Sequence, residues 1–148
     1  MTLFDTEEKL SRAVQKFLRV NPLNAAPVCE DIPLISNQEV WLNIALIKQY
    51  HENMSIQASQ KLAINLLKRL GLESAADKRN PVLGDKERFF VKLLRSAMVK
   101  DAAILIDRPF NMIPQLKNID PVLQALKAID NSVSYTHLRA HETVLDLV

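Results

Sequence analysis

Apolar residues recur along this chain mostly at helical spacing. Leu10, Ala13, Val14, Phe17 and Leu18 fall at i, i+3, i+4, i+7 and i+8, one face of a helix. Asp5 or Thr6 caps it, Glu7 and Glu8 stand in its positive first turn, and Asn21-Pro22 ends it. The next stretch, N-P-L-N-A-A-P-V-C-E-D-I-P, reads as loop with room for one short strand. Ser36-Asn37-Gln38-Glu39 fits a capping box before a helix running from Gln38 to His51. Its apolar residues, Val40, Trp41, Ile44, Leu46 and Ile47, cover much of its circumference, so it is buried or faces a partner. Ser55 caps another helix with a stripe of Leu62, Ala63, Leu66, Leu67 and Leu70. Gly71 closes it in left-handed conformation and Leu72 folds back.

Asp85 is placed to cap a helix from Lys86 to Val99, with Phe90, Leu93, Leu94 and Ala97 on its inner face. Ala102 to Ile106 breaks the helical period. It is apolar on both faces, which predicts a buried strand of parallel-sheet type. A last helix runs from Pro121 to Ile129. The pattern predicts a helix-dominated α/β domain.

The length, 148 residues, suits one domain. A net charge of +2 gives no case for a nucleic-acid partner, which needs a clustered basic face. The single cysteine, Cys29, excludes an intrachain disulfide framework and fits a reducing compartment. No signal-peptide run opens the chain and no stretch is long and apolar enough to span a membrane, so the expected location is the cytoplasm. Glycine decides more. Gly71 and Gly84 are the two in the chain, and no G-K-[ST] occurs, so neither a phosphate-binding P-loop nor a dinucleotide fingerprint is present.

The stretch R-N-P-V-L-G-D-K-E-R-F-F-V-K-L-L-R-S-A-M, followed after a spacer by A-A-I-L-I-D-R-P, resembles the signature helix and Walker B strand of ATP-binding cassette transporter ATPases. Upstream, Val40-Trp41-Leu42-Asn43-Ile44-Ala45-Leu46 matches the family's V-x-x-N-I-A-L helix. Leu67 to Leu72 matches the helix ending in L-G-L, and Val28-Cys29-Glu30-Asp31 sits at the Q-loop place. The likeness covers Val28 to Asp120. It implies a partial P-loop NTPase fold across residues 1–132. A helical subdomain would span residues 36–100, beside a remnant of the parallel core sheet with its Walker B strand at residues 102–107. In the family a strand from the P-loop region flanks that strand; the resemblance implies an open edge and an open apolar face at residues 102–106 here, with the first helix covering part of that surface. It also implies ATP and Mg²⁺ as the parent family's ligands. The implied partners are a membrane permease and a second ATPase subunit, at the inner face of the membrane.

The departures from the family carry the mechanism. Glu30 replaces the Q-loop glutamine, where a carboxylate is repelled by triphosphate unless a cation intervenes. Otherwise it is a solvated loop acid. The family's L-S-G-G-Q aligns with Leu83-Gly84-Asp85-Lys86-Glu87, without the serine and with Asp85 and Lys86 for the two glycines. Asp85 puts an acid at an anion-binding helix start. Lys86 offsets it in part or is a surface lysine. Asp107 stands at the Mg²⁺-holding position. Arg108 replaces the glutamate that polarises water and cannot act as a base. Arg108 either pairs with an acid such as Asp107 or lies in solvent. Trp41, Ile44 and Tyr50 are either permease-groove residues or core.

Residues 133–148 resemble translated sequencing adapter and are set aside from function as a fusion scar is. His137 and His141 there imitate an i, i+4 zinc pair but lack a third ligand, and Thr136-His137 imitates the family's switch histidine by coincidence. The leading expectation is a degenerate or fragmentary transporter ATPase subunit that contacts a permease, does not hydrolyse ATP and binds no cofactor tightly. The alternatives are a fragment of an active ATPase, or an unrelated helical interaction domain.

Overall fold

A five-residue strand, Ala102–Ile106, lies at the centre of the structure, with every residue buried. The computed structural model describes the backbone of residues 2–3, 7–130, 135–140 and 143–144, and the side chains of residues 12–129. The described elements run β1 (Thr2–Leu3), α1 (Glu7–Val20), β2 (Ala25–Val28), α2 (Val40–Glu52), α3 (Ile56–Arg69), α4 (Asp85–Ala97), β3 (Ala102–Ile106), α5 (Pro109–Met112), α6 (Asp120–Asp130), β4 (Tyr135–Ala140) and β5 (Thr143–Val144). Two short 3₁₀ turns, Glu73–Ala75 and Asn80–Val82, link α3 to α4.

β3 pairs in parallel with β2 on one side and with β4 on the other. Its register to β2 runs from Ala25↔Ala103 to Val28↔Ile106. The expectation of an open β3 edge is thereby corrected, because the backbone of residues 135–140 fills it. A separate antiparallel pair joins β1 to β5. The outer edge of β2 is closed by its own sequence. Ala25 N donates back to Asn21 O at 3.2 Å, Pro27 has no N–H, and Ser96 Oγ donates to Pro27 O at 3.3 Å. A proline on an edge strand is one device that blocks further pairing.

The two faces of β3 meet different helices. Ala102, Ile104 and Ile106 belong to the main core with Ile44 of α2, Leu66 and Leu67 of α3, Leu93 and Leu94 of α4, and Leu126 and Ile129 of α6. Ala103 and Leu105 pack with Phe17 and Val14 of α1. Small alanines on β3 let helices approach closely on both sides. The helical period of α1 was right for Phe17, but Leu18 is 44% exposed and not part of the core. Leu10 lies outside the residues whose side chains are described.

Local chemistry explains the helix ends. Ser55 Oγ accepts from Ala58 N at 3.1 Å, as its position predicts. At the other end of α3, Gly71 takes φ +70°. Leu72 N then donates to Leu67 O at 2.8 Å and Gly71 N to Lys68 O at 3.0 Å. This is the six-to-one and five-to-two pair of a Schellman cap. The capping box expected at Ser36–Glu39 does not form. Glu39 occupies the cap position without a side-chain cap bond, and α2 starts at Val40. Its first free N–H groups are met from another segment: Val40 N donates to Lys78 O at 2.8 Å and Trp41 N to Ala76 O at 3.1 Å.

Asn43 explains why a polar residue sits inside an apolar helix. It is 2% exposed. Its Oδ1 accepts from Ile35 N at 2.8 Å, and its Nδ2 donates to Ile35 O, Gln38 O and Glu39 O at 3.1, 3.3 and 3.2 Å. One buried amide therefore fixes the loop that leads into α2. Asn43→Ala is expected to cost about 2 kcal/mol, because it strands partly buried backbone groups. Urea unfolding measures this; a loss under about 0.5 kcal/mol, the range of neutral surface changes, would contradict it.

Candidate functional site

The segment after β2, residues 29–33, leaves the sheet with carbonyls at Cys29, Ile32 and Pro33 that accept from side chains. α4 supplies the donors. Lys92 Nζ donates to Cys29 O at 3.0 Å, Arg95 Nη1 to Pro33 O at 2.9 Å, and Arg95 Nη2 to Ile32 O at 3.0 Å. With Ser96 on Pro27, these residues form a polar stripe along one side of α4, at i, i+3 and i+4. Lys92 is 6% exposed, and Arg95 is partly buried. Burial lowers the pKa of both, and the Arg95 charge lowers Lys92 further. Glu30, the residue at the Q-loop place, is exposed beside this stripe.

The signature-like loop is held from the same helix. Arg88 Nε donates to Asn80 Oδ1 at 2.7 Å, and Nη2 donates to Leu83 O at 2.7 Å and Asn80 O at 3.2 Å. Its Nη1 lies 3.2 Å from Asp85 Oδ1. Sequence reasoning missed Arg88, although an arginine one turn into a helix after a proline loop is a natural staple for that loop. Gly84, and not Asp85, holds the cap position of α4, with φ −71° and ψ 165°. Glu87 Oε1 accepts from Gly84 N at 3.2 Å, and Glu87 Oε2 pairs with Lys78 Nζ at 3.5 Å. Leu83 is buried in the core, while Asp85 and Lys86 are exposed. Gly84 to Glu87 form one wall of a cleft of about 670 Å³; Ile113, Leu116, Lys117 and Asn118 line the wall opposite.

Asp107 follows β3 directly, and its N–H donates to Val28 O at 2.9 Å. Arg108 Nε lies 3.7 Å from Asp107 Oδ1, with the arginine side chain 45% exposed. Arg108 therefore both pairs with the aspartate and reaches solvent. Its backbone is left-handed at φ 52°, and Pro109 follows. That conformation is unfavourable for a non-glycine residue and more so before proline. It turns the chain sharply out of the sheet into α5.

The three permease-groove candidates separate. Ile44 is wholly buried, which fits the core alternative of its two readings. The helical spacing of α2 puts it one turn after Val40 and next to Asn43, both also buried. Trp41 is partly buried and its Nε1 donates to Glu39 Oε2. Tyr50 is 79% exposed.

The residues present do not fit a nucleoside triphosphate with Mg²⁺. The Gly84 N–H at the start of α4 is turned to Glu87, Asp85 puts a carboxylate beside it, and the donors of Arg88 are committed to the loop. Among the described residues, no group of three or more acid, histidine or cysteine side chains is placed to hold a metal. Of the imitation zinc pair, His137 lies in β4 and His141 lies outside the described residues.

No family model matches the chain, and no curated protein matches its sequence. Solved structures do match its fold. One is a dimeric post-hydrolysis state of the ATP-binding cassette MJ0796 bound to ADP and Pi. It is 20% identical with a TM-score of 0.60, over 85% of this chain and 55% of that one. Another is a dimeric structure of MJ0796 described as a bacterial ABC transporter cassette. It is 18% identical with a TM-score of 0.57, over 93% and 60% of the two chains. The protein therefore has an α/β fold of the ATP-binding cassette type, dominated by helices, and spans little more than half the length of these neighbours. Among the described residues no helix is long and apolar enough to cross a membrane.

The lowered pKa of Lys92 has a signed consequence. Between its folded-state value and the ordinary 10.5, the unfolded chain binds more protons than the folded one. Stability therefore rises with pH in that window, and Lys92 costs most below it. The stability difference between wild type and Lys92→Met is expected to shift in favour of wild type as pH approaches 10.5. Denaturant unfolding across the alkaline range reads it; a pH-independent difference would contradict the burial of this amine.

Proposed function

We propose that this chain is a degenerate or fragmentary ATP-binding subunit of an ABC transporter, which contacts a membrane permease and does not hydrolyse ATP itself. The observation that carries the reading is the end of β3. Within a cassette-type fold, Asp107 closes the central parallel strand, and the residue after it is an arginine paired to that aspartate. A guanidinium there neutralises the acid that would hold Mg²⁺ and offers no base for water. Support also comes from the loop at residues 83–87, where Glu87 accepts from the Gly84 N–H and Arg88 holds the Leu83 carbonyl and the Asp85 carboxylate.

In this reading the permease meets the exposed side of the helical subdomain. Tyr50 and Trp41 are the groove residues retained from the sequence, and Ile35, 46% exposed, lies on the loop that Asn43 holds. A second, competent ATPase subunit supplies hydrolysis. The protein works at the cytoplasmic face of the membrane, and nucleic acid is not among its partners. In this reading residues 133–148 contribute no functional side chain and the functional part is 1–132, while the backbone of residues 135–140 completes the sheet beside β3. A second reading, a piece of an active ATPase, is favoured by one observation: the chain spans 55% and 60% of the two cassette structures described above.

Two outcomes test the proposal. Calorimetry with millimolar Mg-ATP is expected to give no saturable heat, because the phosphate cradle and its lysine are missing from this sequence. A micromolar dissociation constant would overturn it. Arg108→Glu is expected to leave phosphate release at the wild-type blank, since a base helps only a nucleotide already held in line with water. Release above the blank that Asp107→Ala abolishes would show that a functional site exists.

A further inference from the structure

Lys92 is the one charged residue the structure buries among those described, and its surroundings are not those of a structural ion pair. No carboxylate pairs with it among the described residues; its Nζ donates to the Cys29 carbonyl at 3.0 Å. An ammonium has three donors to place, so a buried lysine with one neutral acceptor is poorly compensated. Two cations flank it on the same helix, Arg88 one turn before and Arg95 one turn after. The guanidinium of Arg95 is committed to the carbonyls of Ile32 and Pro33, which leaves its charge in place. Lys92 also lines an open cleft of about 330 Å³, together with Glu30, Arg88, Phe89 and Asn111.

We infer that Lys92 is a carbon-dioxide acceptor: its side-chain amine adds CO₂ and is held as a carbamate in this cleft. The ammonium first gives one proton to water; the freed nitrogen lone pair then forms the N–C bond, one C=O π pair moves onto oxygen, and a second N–H proton leaves to water. The step exchanges a positive group for a negative one at the same position. The groups around it favour that exchange. Burial is the largest influence lowering the amine's affinity for a proton, followed by Arg95, with Arg88 acting in the same direction. The same positive field stabilises a carbamate anion. Cys29 and Glu30 act in the opposite sense, and Asp85 lines the cleft on the α4 side. Lys61, Lys68 and Lys100 are exposed, unlike Lys92, and serve as the comparison. This inference stands on the cleft alone and does not depend on the transporter reading.

The test uses the full chain in ¹³C-labelled bicarbonate at mildly alkaline pH. Carbamates are trapped by oxonium alkylation and located by peptide mass spectrometry, with carbon NMR on the same sample. The expected result is one carbamate resonance and a trapped adduct on the peptide bearing Lys92, in several-fold excess over adducts at Lys61, Lys68 and Lys100. The resonance disappears in Lys92→Met, and Arg95→Gln lowers the occupancy several-fold. The wild-type adduct map is decisive even where a variant folds poorly. No adduct at Lys92 in saturating bicarbonate, or labelling no greater than at the exposed lysines, overturns the inference. So does a resonance that survives in folded Lys92→Met.

Discussion

The structure depends on burying β3 on both faces at once. Five apolar residues with no polar side chain among them gain stability only where helices cover each face and strands satisfy each edge. α1 closes one face through Phe17, and the α2–α3–α4–α6 layer closes the other. β2 and β4 complete the hydrogen bonds. Everything of functional interest hangs on this strand: Asp107 and Arg108 leave its end, and the segment bearing Glu30 leaves the end of its neighbour. Because parallel strands point the same way, both departures occur at one end of the sheet.

α4 then determines what those departing segments can do. Its apolar side packs into the core, while Arg88, Lys92, Arg95 and Ser96 hold backbone carbonyls on two segments that precede it, residues 80–83 and 27–33. Polar groups that a nucleotide site would keep available are spent on loop geometry. The result is a cassette-like frame whose loops are held by side chains of α4, since unmet buried polar groups are costly and are filled by whatever side chain can reach them.

Much of this was legible in the sequence because it rests on local periodicity. The β3 run, the α3 stripe, the Ser55 cap and the Gly71 closure all follow from short-range rules, and the order of motifs pointed to the cassette fold. What was not legible depends on distant partners. Ser36–Glu39 has a capping-box pattern, but the start of α2 is satisfied by the Ala76 and Lys78 carbonyls, far away in sequence. Ile44 looked like a groove residue because nothing in α2's pattern distinguishes its inner from its outer side. Nothing in the sequence singles out Lys92; the return of residues 29–33 across α4 places the Cys29 carbonyl on its amine. The open edge expected for β3 was a statement about neighbours that the strand's own composition cannot supply.

Residue-resolved hydrogen exchange under native conditions tests this account most directly. With both edges paired and both faces covered, the amides of Ala103 to Ile106 should be among the slowest to exchange, opening only with the whole domain. Fast exchange there, while α2 and α3 stay protected, would contradict the account. It would mean that the helices fold around their own packing and that β3 does not hold the structure together.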